Sequence, residues 1–152
     1  MKIVQKPRNS AKEEVIEILN QNLADAITLK LAAKYAHWNV KGENFLSLHE
    51  LFDKLAASAD EYADTMAERV VQLGGHAKGT LKDIEKYSSL KSHSGSEDYV
   101  RTISALVSEL AEKTRHSIDA TADLNDAVTA DILTEVTAGL DKLHWFVSSH
   151  KK

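Results

Sequence analysis

The stretch from Asn44 to Leu73 limits what this chain can fold into more than any other. Counted at about 100° per residue from His49, the large apolar residues Leu51, Phe52, Leu55, Tyr62, Met66, Val70 and Leu73 fall between roughly 200° and 300°. Asp60, Asp53, Asp64 and Glu68 fall with His49 inside about 100°. Ala56, Ala57, Ala63 and Ala67 share this polar side. Such a helix packs a core with one face and offers the other, acidic and lined with small residues, to a close neighbour. Gly74 and Gly75 provide its stop. A plain solvated acidic face is the alternative reading.

Length restricts how the acidic face can be used. Asp53 and Asp64 are separated by about 16 Å at 1.5 Å per residue, so one metal centre cannot use both ends of the helix. Two copies packed antiparallel about a two-fold axis can: His49 and Asp53 of one would meet Asp64 and Glu68 of the other, and symmetry would build the site twice. Imidazoles and carboxylates without a thiolate suit iron, manganese or zinc. Few protein ligands and open positions suit redox or substrate chemistry better than a closed structural site.

The rest of the chain reads as helix. One Pro and six Gly in 152 residues favour long uninterrupted helices, and this length makes one domain with room for a core. Residues 1–9 carry Lys2, Lys6 and Arg8 and no acid; they read as a flexible solvated tail. Residues 10–150 form the domain. The first helix starts at Ser10, where Ser10 and Glu13 fit a capping box, and ends near Asn39 to Gly42. His37 and Trp38 sit on its last turn. After the central helix comes a long connection, in which Thr80 caps a short helix with Asp83 at its third position. The next helix begins near Ser96 and runs to about Leu124. The last spans roughly Thr129 to Ser149, with Thr129 as N-cap and Asp131 in a first turn that favours an anion. Asp60 reads as a salt-bridge residue, and His76, His93 and the Glu112/His116 pair as solvated surface. A connection this long fits a four-helix bundle with one crossover. Net charge is −4 and Cys is absent, so the chain as a whole does not advertise nucleic-acid binding and holds no disulfide or thiolate site. Without an apolar run of spanning length or a signal-peptide pattern, the expectation is a soluble cytoplasmic protein.

Several segments together resemble the Dps family, the ferritin-like DNA-protection proteins of starved bacteria. They are HWNVKG at His37 to Gly42, LHELFD at Leu48 to Asp53, DTMAERVVQLGG at Asp64 to Gly75 and TADILTEVTAGLDKLHWF at Thr129 to Phe146. The resemblance implies an all-α, ferritin-like four-helix bundle with a short extra helix in the crossover, assembled as a hollow homododecamer. It implies a ferroxidase that oxidises Fe(II), with hydrogen peroxide preferred over oxygen, and mineralises Fe(III) inside the shell. Its iron ligands map onto His37, His49 and Asp53 of one subunit and Asp64 and Glu68 of the two-fold partner. It further implies a quenching role for Trp38 beside the iron, an interface position for Trp145, and iron-entry pores lined by Asp126 and Asp131, with Glu135 one turn on. The Glu-x-x-His motif of bundles with an internal di-iron site occurs nowhere in the chain, in keeping with a site moved to the interface. Two alternatives stand beside this reading. One is a nucleoid-associated, DNA-compacting protein with secondary iron chemistry; the other is an assembly whose site is degenerate or holds zinc.

Overall fold

The structure, a computed structural model, describes residues 8–90 and 97–151. It contains α1 (Arg8–Asn39), α2 (Phe45–Gln72), α3 (Leu81–Tyr87), α4 (Tyr99–Asp123) and α5 (Ala127–Ser148), and no strand among the described residues. α1 pairs with α2, and α4 with α5, as two helical hairpins. Side-chain contacts fix the directions. Asn22, midway along α1, bonds Ser117, late in α4. Arg69 at the end of α2 bonds Asp126 and Thr129 at the start of α5. The start of α4 lies instead by the end of α1, where the Tyr35 and Tyr99 rings meet edge to face at 6.1 Å. The two hairpins therefore run up-down and down-up, and the segment between α2 and α4 carries the chain back along the bundle with α3 against α1. This is the expected ferritin-like bundle with a short crossover helix.

Leu19, Leu29, Phe52, Leu55, Met66, Ile103, Leu110, Leu133 and Leu140 fill the centre and are fully or almost fully buried. Ala56 and Ala63 are buried with them, although the helical count puts them on the polar side. α1 lies along α2 closely enough to cover those alanines, since interaxial distance depends on the side chains at the contact. Ala57 and Ala67 stay at the edge of the acidic face, exposed and half-buried.

Helix ends account for most departures from the sequence reading. α2 closes as expected: Gly74 adopts φ +85°, Gly75 N–H bonds Val70 O at 2.9 Å and Gly74 N–H bonds Val71 O at 2.9 Å, the paired bonds of a Schellman stop. Thr80 and Asp83 form the expected capping box of α3. Ser10, however, lies inside α1, which already runs from Arg8, so Ser10 and Glu13 do not cap it. α4 starts at Tyr99 with Asp98 as cap; Ser96 lies outside the described residues, as do His93, Lys2 and Lys6. α5 starts at Ala127, and its cap is Asp126 rather than Thr129. Asp126 accepts the Thr129 N–H at 2.9 Å and the Thr129 hydroxyl at 2.6 Å. Asp131 therefore lies past the first turn, and the helix dipole does not account for it.

One buried carboxylate ties the crossover down. Asp25 on α1 is fully buried, and its oxygens accept from the Ser88 hydroxyl, the Ser89 N–H, the Ser89 hydroxyl and the Leu90 N–H at 3.2, 2.6, 2.7 and 3.3 Å. A carboxylate is accommodated there because those donors replace its water.

Candidate metal centre

The α1–α2 hairpin positions the site. His37, in the last turn of α1, faces His49, in the first turns of α2, with ring centroids 3.8 Å apart and planes 16° from parallel. His37 Nδ1–H donates to the His49 carbonyl at 2.6 Å, and His49 Nδ1–H donates to the His37 carbonyl at 2.7 Å. A carbonyl only accepts, so each Nδ1 carries the proton and each neutral ring keeps its lone pair on Nε2. This reciprocal lock is the backbone-anchored arrangement that orients metal-binding imidazoles. The Phe45 ring, centred 5.0 Å away, stacks on His49.

Asp53 lies one turn beyond His49 on α2, and Lys34 Nζ bonds its Oδ1 at 2.6 Å. The hydrogen bond from that ammonium holds the Asp53 carboxyl below the usual carboxylate range. One turn further along α1 and two along α2, Lys30 bonds Asp60 at 2.7 Å, the salt bridge expected of Asp60. Asp64 and Glu68 are exposed on the same helix, with Glu68 about 22 Å beyond Asp53 by helical rise. Among the described residues, no three His, Asp or Glu side chains of one chain are grouped to hold a metal ion. The single chain brings His37 and His49 together, puts Asp53 beside them under Lys34, and leaves Asp64 and Glu68 at the other end of the helix.

The surroundings are apolar and uncovered. Trp38 is 69% exposed and Leu31, Tyr35, Phe45 and Leu46 are exposed as well. Exposed apolar groups clustered this way mark an interaction surface. Beside Asp64, an open groove of about 620 Å³ runs between α1 and α2, floored by Ala57, Ala63, Ala67 and Gly79. Trp145 is also exposed, at 64%, with its ring 5.0 Å from that of Phe146. His76 and His116 lie on the surface.

The two residues assigned to a pore differ in setting. Asp131 is exposed. Asp126 is bound to Arg69, whose guanidinium lies 3.1 Å from Oδ1. Burial pushes the Asp126 carboxyl up, but bonds from Thr129 and the Arg69 charge outweigh it, and its pKa is held below the usual range. Its stabilising effect is therefore complete above the unfolded value near 4 and is lost as pH falls through the lower folded value. Asp126→Asn should lower the urea midpoint at pH 7, and the gap from wild type should narrow below about pH 4. A gap that stays constant down to pH 3 would show that the charge is not what stabilises this corner.

Lys34 was not singled out in the sequence, although it was legible there. It precedes His37 by three positions and Asp53 follows His49 by four, so both sit one turn from the paired histidines on the same faces. Asp25 gave no such signal.

The chain matches the family model of the ferritin-like domain over residues 16–152. It is 40% identical over 146 residues to the DNA protection during starvation protein of Agrobacterium fabrum, covering 93% of this chain and 90% of that protein. Among solved structures, a Dps protein from Bacillus brevis superposes with a TM-score of 0.88 at 32% identity, covering 95% of this chain and 98% of the other. A C-terminal deletion mutant of Mycobacterium smegmatis Dps superposes with a TM-score of 0.86 at 34% identity, covering 91% and 99%.

Proposed function

This chain belongs to the Dps family of ferritin-like proteins, and on that premise we propose that it is a ferroxidase whose iron sites form between subunits of a hollow homododecamer. The reciprocal lock of His37 and His49 carries the reading. It leaves two Nε2 lone pairs aimed away from the backbone, while the carboxylates that would complete the site lie beyond reach on the same chain. Packing two α1–α2 hairpins antiparallel about a two-fold axis brings Asp64 and Glu68 of one copy to the histidines of the other. The small-residue groove beside Asp64 and the exposed Trp38, Phe45 and Leu46 suit that contact.

In this reading Fe(II) is the substrate. His37 and His49 are its neutral ligands, Glu68 the strongest carboxylate, and Asp53 and Asp64 close the shell. Two ferrous ions each give one electron to hydrogen peroxide, which takes up two protons and leaves as two waters. Because the electrons reach peroxide in pairs, hydroxyl radical is not released. Fe(III) is stored as mineral in the cavity. Trp38, next to His37 in the chain, would intercept a stray oxidising equivalent, and Asp131, with Asp126 less free to take part, would line the entry route. The protein acts in the cytoplasm; among the described residues no helix is long and apolar enough to cross a membrane.

The test is anaerobic. The purified assembly is loaded with ferrous iron, given stoichiometric peroxide and followed by ferric absorbance. Wild type should oxidise iron fast, and Glu68→Ala should slow it by about tenfold or more, the scale on which even ligand-supporting residues act. Equal rates in both, near that of iron in buffer, would refute the reading. Direct DNA binding is the second reading, favoured by the name that the relatives carry and by the cationic residues Lys2, Lys6 and Arg8. Failure to retard DNA in a gel at low salt, where phosphate contacts are strongest, would exclude it.

A further inference from the structure

The Lys34–Asp53 contact sets a carboxylate of the proposed iron site against a cation belonging to the protein itself. Lys34 and His37 stand one turn apart on α1, and His49 and Asp53 one turn apart on α2, so the four side chains make two rungs between antiparallel helices. On one rung the imidazoles present free lone pairs. On the other, the ammonium lies 2.6 Å from Oδ1 of Asp53, the separation of a strong charge-assisted hydrogen bond. A carboxylate oxygen cannot give the same lone pair to an ammonium and to a metal. From this geometry we infer that Lys34 is a resident counter-cation, which holds Oδ1 of Asp53 in the metal-free site and competes with a divalent cation for that carboxylate. The inference rests on the interfacial reading of the site and deepens it by naming the residue that sets metal affinity at the histidine end.

The contact is built to exchange. In the single chain the Lys34 and Asp53 side chains are 36% and 52% exposed, and a pair with that access to solvent is weak, so the ammonium gives way to a cation at small cost. The flexible four-carbon stem of lysine lets the ammonium swing to solvent without moving α1. Lys34 thus keeps Asp53 oriented and neutralised while the site is empty, and weakens metal binding by the strength of the pair. A site of this kind fills when ferrous iron is abundant and lets weakly held cations go.

The structure supplies its own control. Lys30 and Asp60 form the same contact one turn further along α1, at 2.7 Å with exposures of 37% and 62%, and neither is a proposed ligand. Removing Lys30 takes away an equal charge from a pair whose carboxylate is not a proposed ligand. The probe is Co(II), redox-silent under nitrogen, titrated into the full assembly and followed by calorimetry and by its visible ligand-field absorption. Lys34→Met should bind Co(II) at least about threefold tighter than wild type, the upper range for an exposed pair. Lys34→Arg, which keeps the charge, should stay close to wild type. Lys30→Met should bind as wild type does. In a Lys34→Met/Asp53→Asn variant the tightening should vanish, because the carboxylate that was freed is gone. Unchanged affinity in Lys34→Met, or equal tightening in Lys30→Met, overturns the inference. Glu68→Ala separates the two possible failures. Co(II) binding that depends on Glu68 but not on Lys34 refutes this inference alone. Binding indifferent to Glu68 refutes the interfacial site and the inference with it.

Discussion

Two inactive variants mixed together should recover about a quarter of wild-type ferrous oxidation. One lacks the histidine end of the site, as His37→Ala/His49→Ala; the other lacks the carboxylate end, as Asp64→Ala/Glu68→Ala. Each alone should break every site, because the proposed two-fold dimer would build both of its sites from one end of each copy. In a mixed dimer one site combines the two damaged ends, and the other combines the two intact ones. Random pairing makes about half of the dimers mixed, so about a quarter of all sites are whole. The variants are dissociated, mixed in equal amounts, reassembled and assayed with ferrous iron and peroxide. No recovery from reassembled mixed shells would mean that each subunit carries its own complete site. The structure speaks against that, since Glu68 is about 22 Å from Asp53 by helical rise.

Gly139→Ala should destabilise the bundle although alanine is the better helix former. Helix propensity alone favours the change by about 1 kcal/mol. A Cβ at Gly139, however, would lie 1.9 Å from the Tyr62 hydroxyl oxygen and 2.8 Å from Cζ. Tyr62 is half-buried on α2 and packed against the core, so making room requires moving the ring or separating α2 from α5. Overpacking of this kind costs about 1–3 kcal/mol, which offsets the propensity gain and leaves a net loss of up to about 2 kcal/mol. Urea unfolding should show a lower midpoint for Gly139→Ala. Tyr62→Leu should weaken the background protein, yet Gly139→Ala should be nearly neutral or favourable when added to it. A neutral Gly139→Ala in the wild-type background would show that the ring swings aside freely.

Much of this architecture was legible from residue spacing. The apolar stripe of α2, its Gly74–Gly75 stop and the Thr80–Asp83 capping box depend on residues a few positions apart, and local geometry carries them. The polar face was legible for the same reason: His49, Asp53, Asp64 and Glu68 lie on one side of any regular helix, whatever packs around it. At two places where the reading failed, a distant segment had intervened. Thr129 is a good capping residue, but Asp126 takes the position because it accepts the Thr129 N–H and also meets Arg69 from another helix. Ala56 and Ala63 lie on the polar side by angle, but α1 covers them. A helical count knows direction around one axis and nothing about what approaches it.

Periodicity and residue type alone specified a helical bundle and a helix too long to hold one site with both of its ends. They did so because a helix is built from local bonds with fixed rise and turn. The reciprocal His37–His49 lock, the Lys34–Asp53 contact and the burial of Asp25 under Ser88, Ser89 and Leu90 arise only when the helices are placed side by side. Hydrogen bonds reach about 3 Å, so donors and acceptors far apart in the chain become partners only through the packing that brings them within that distance.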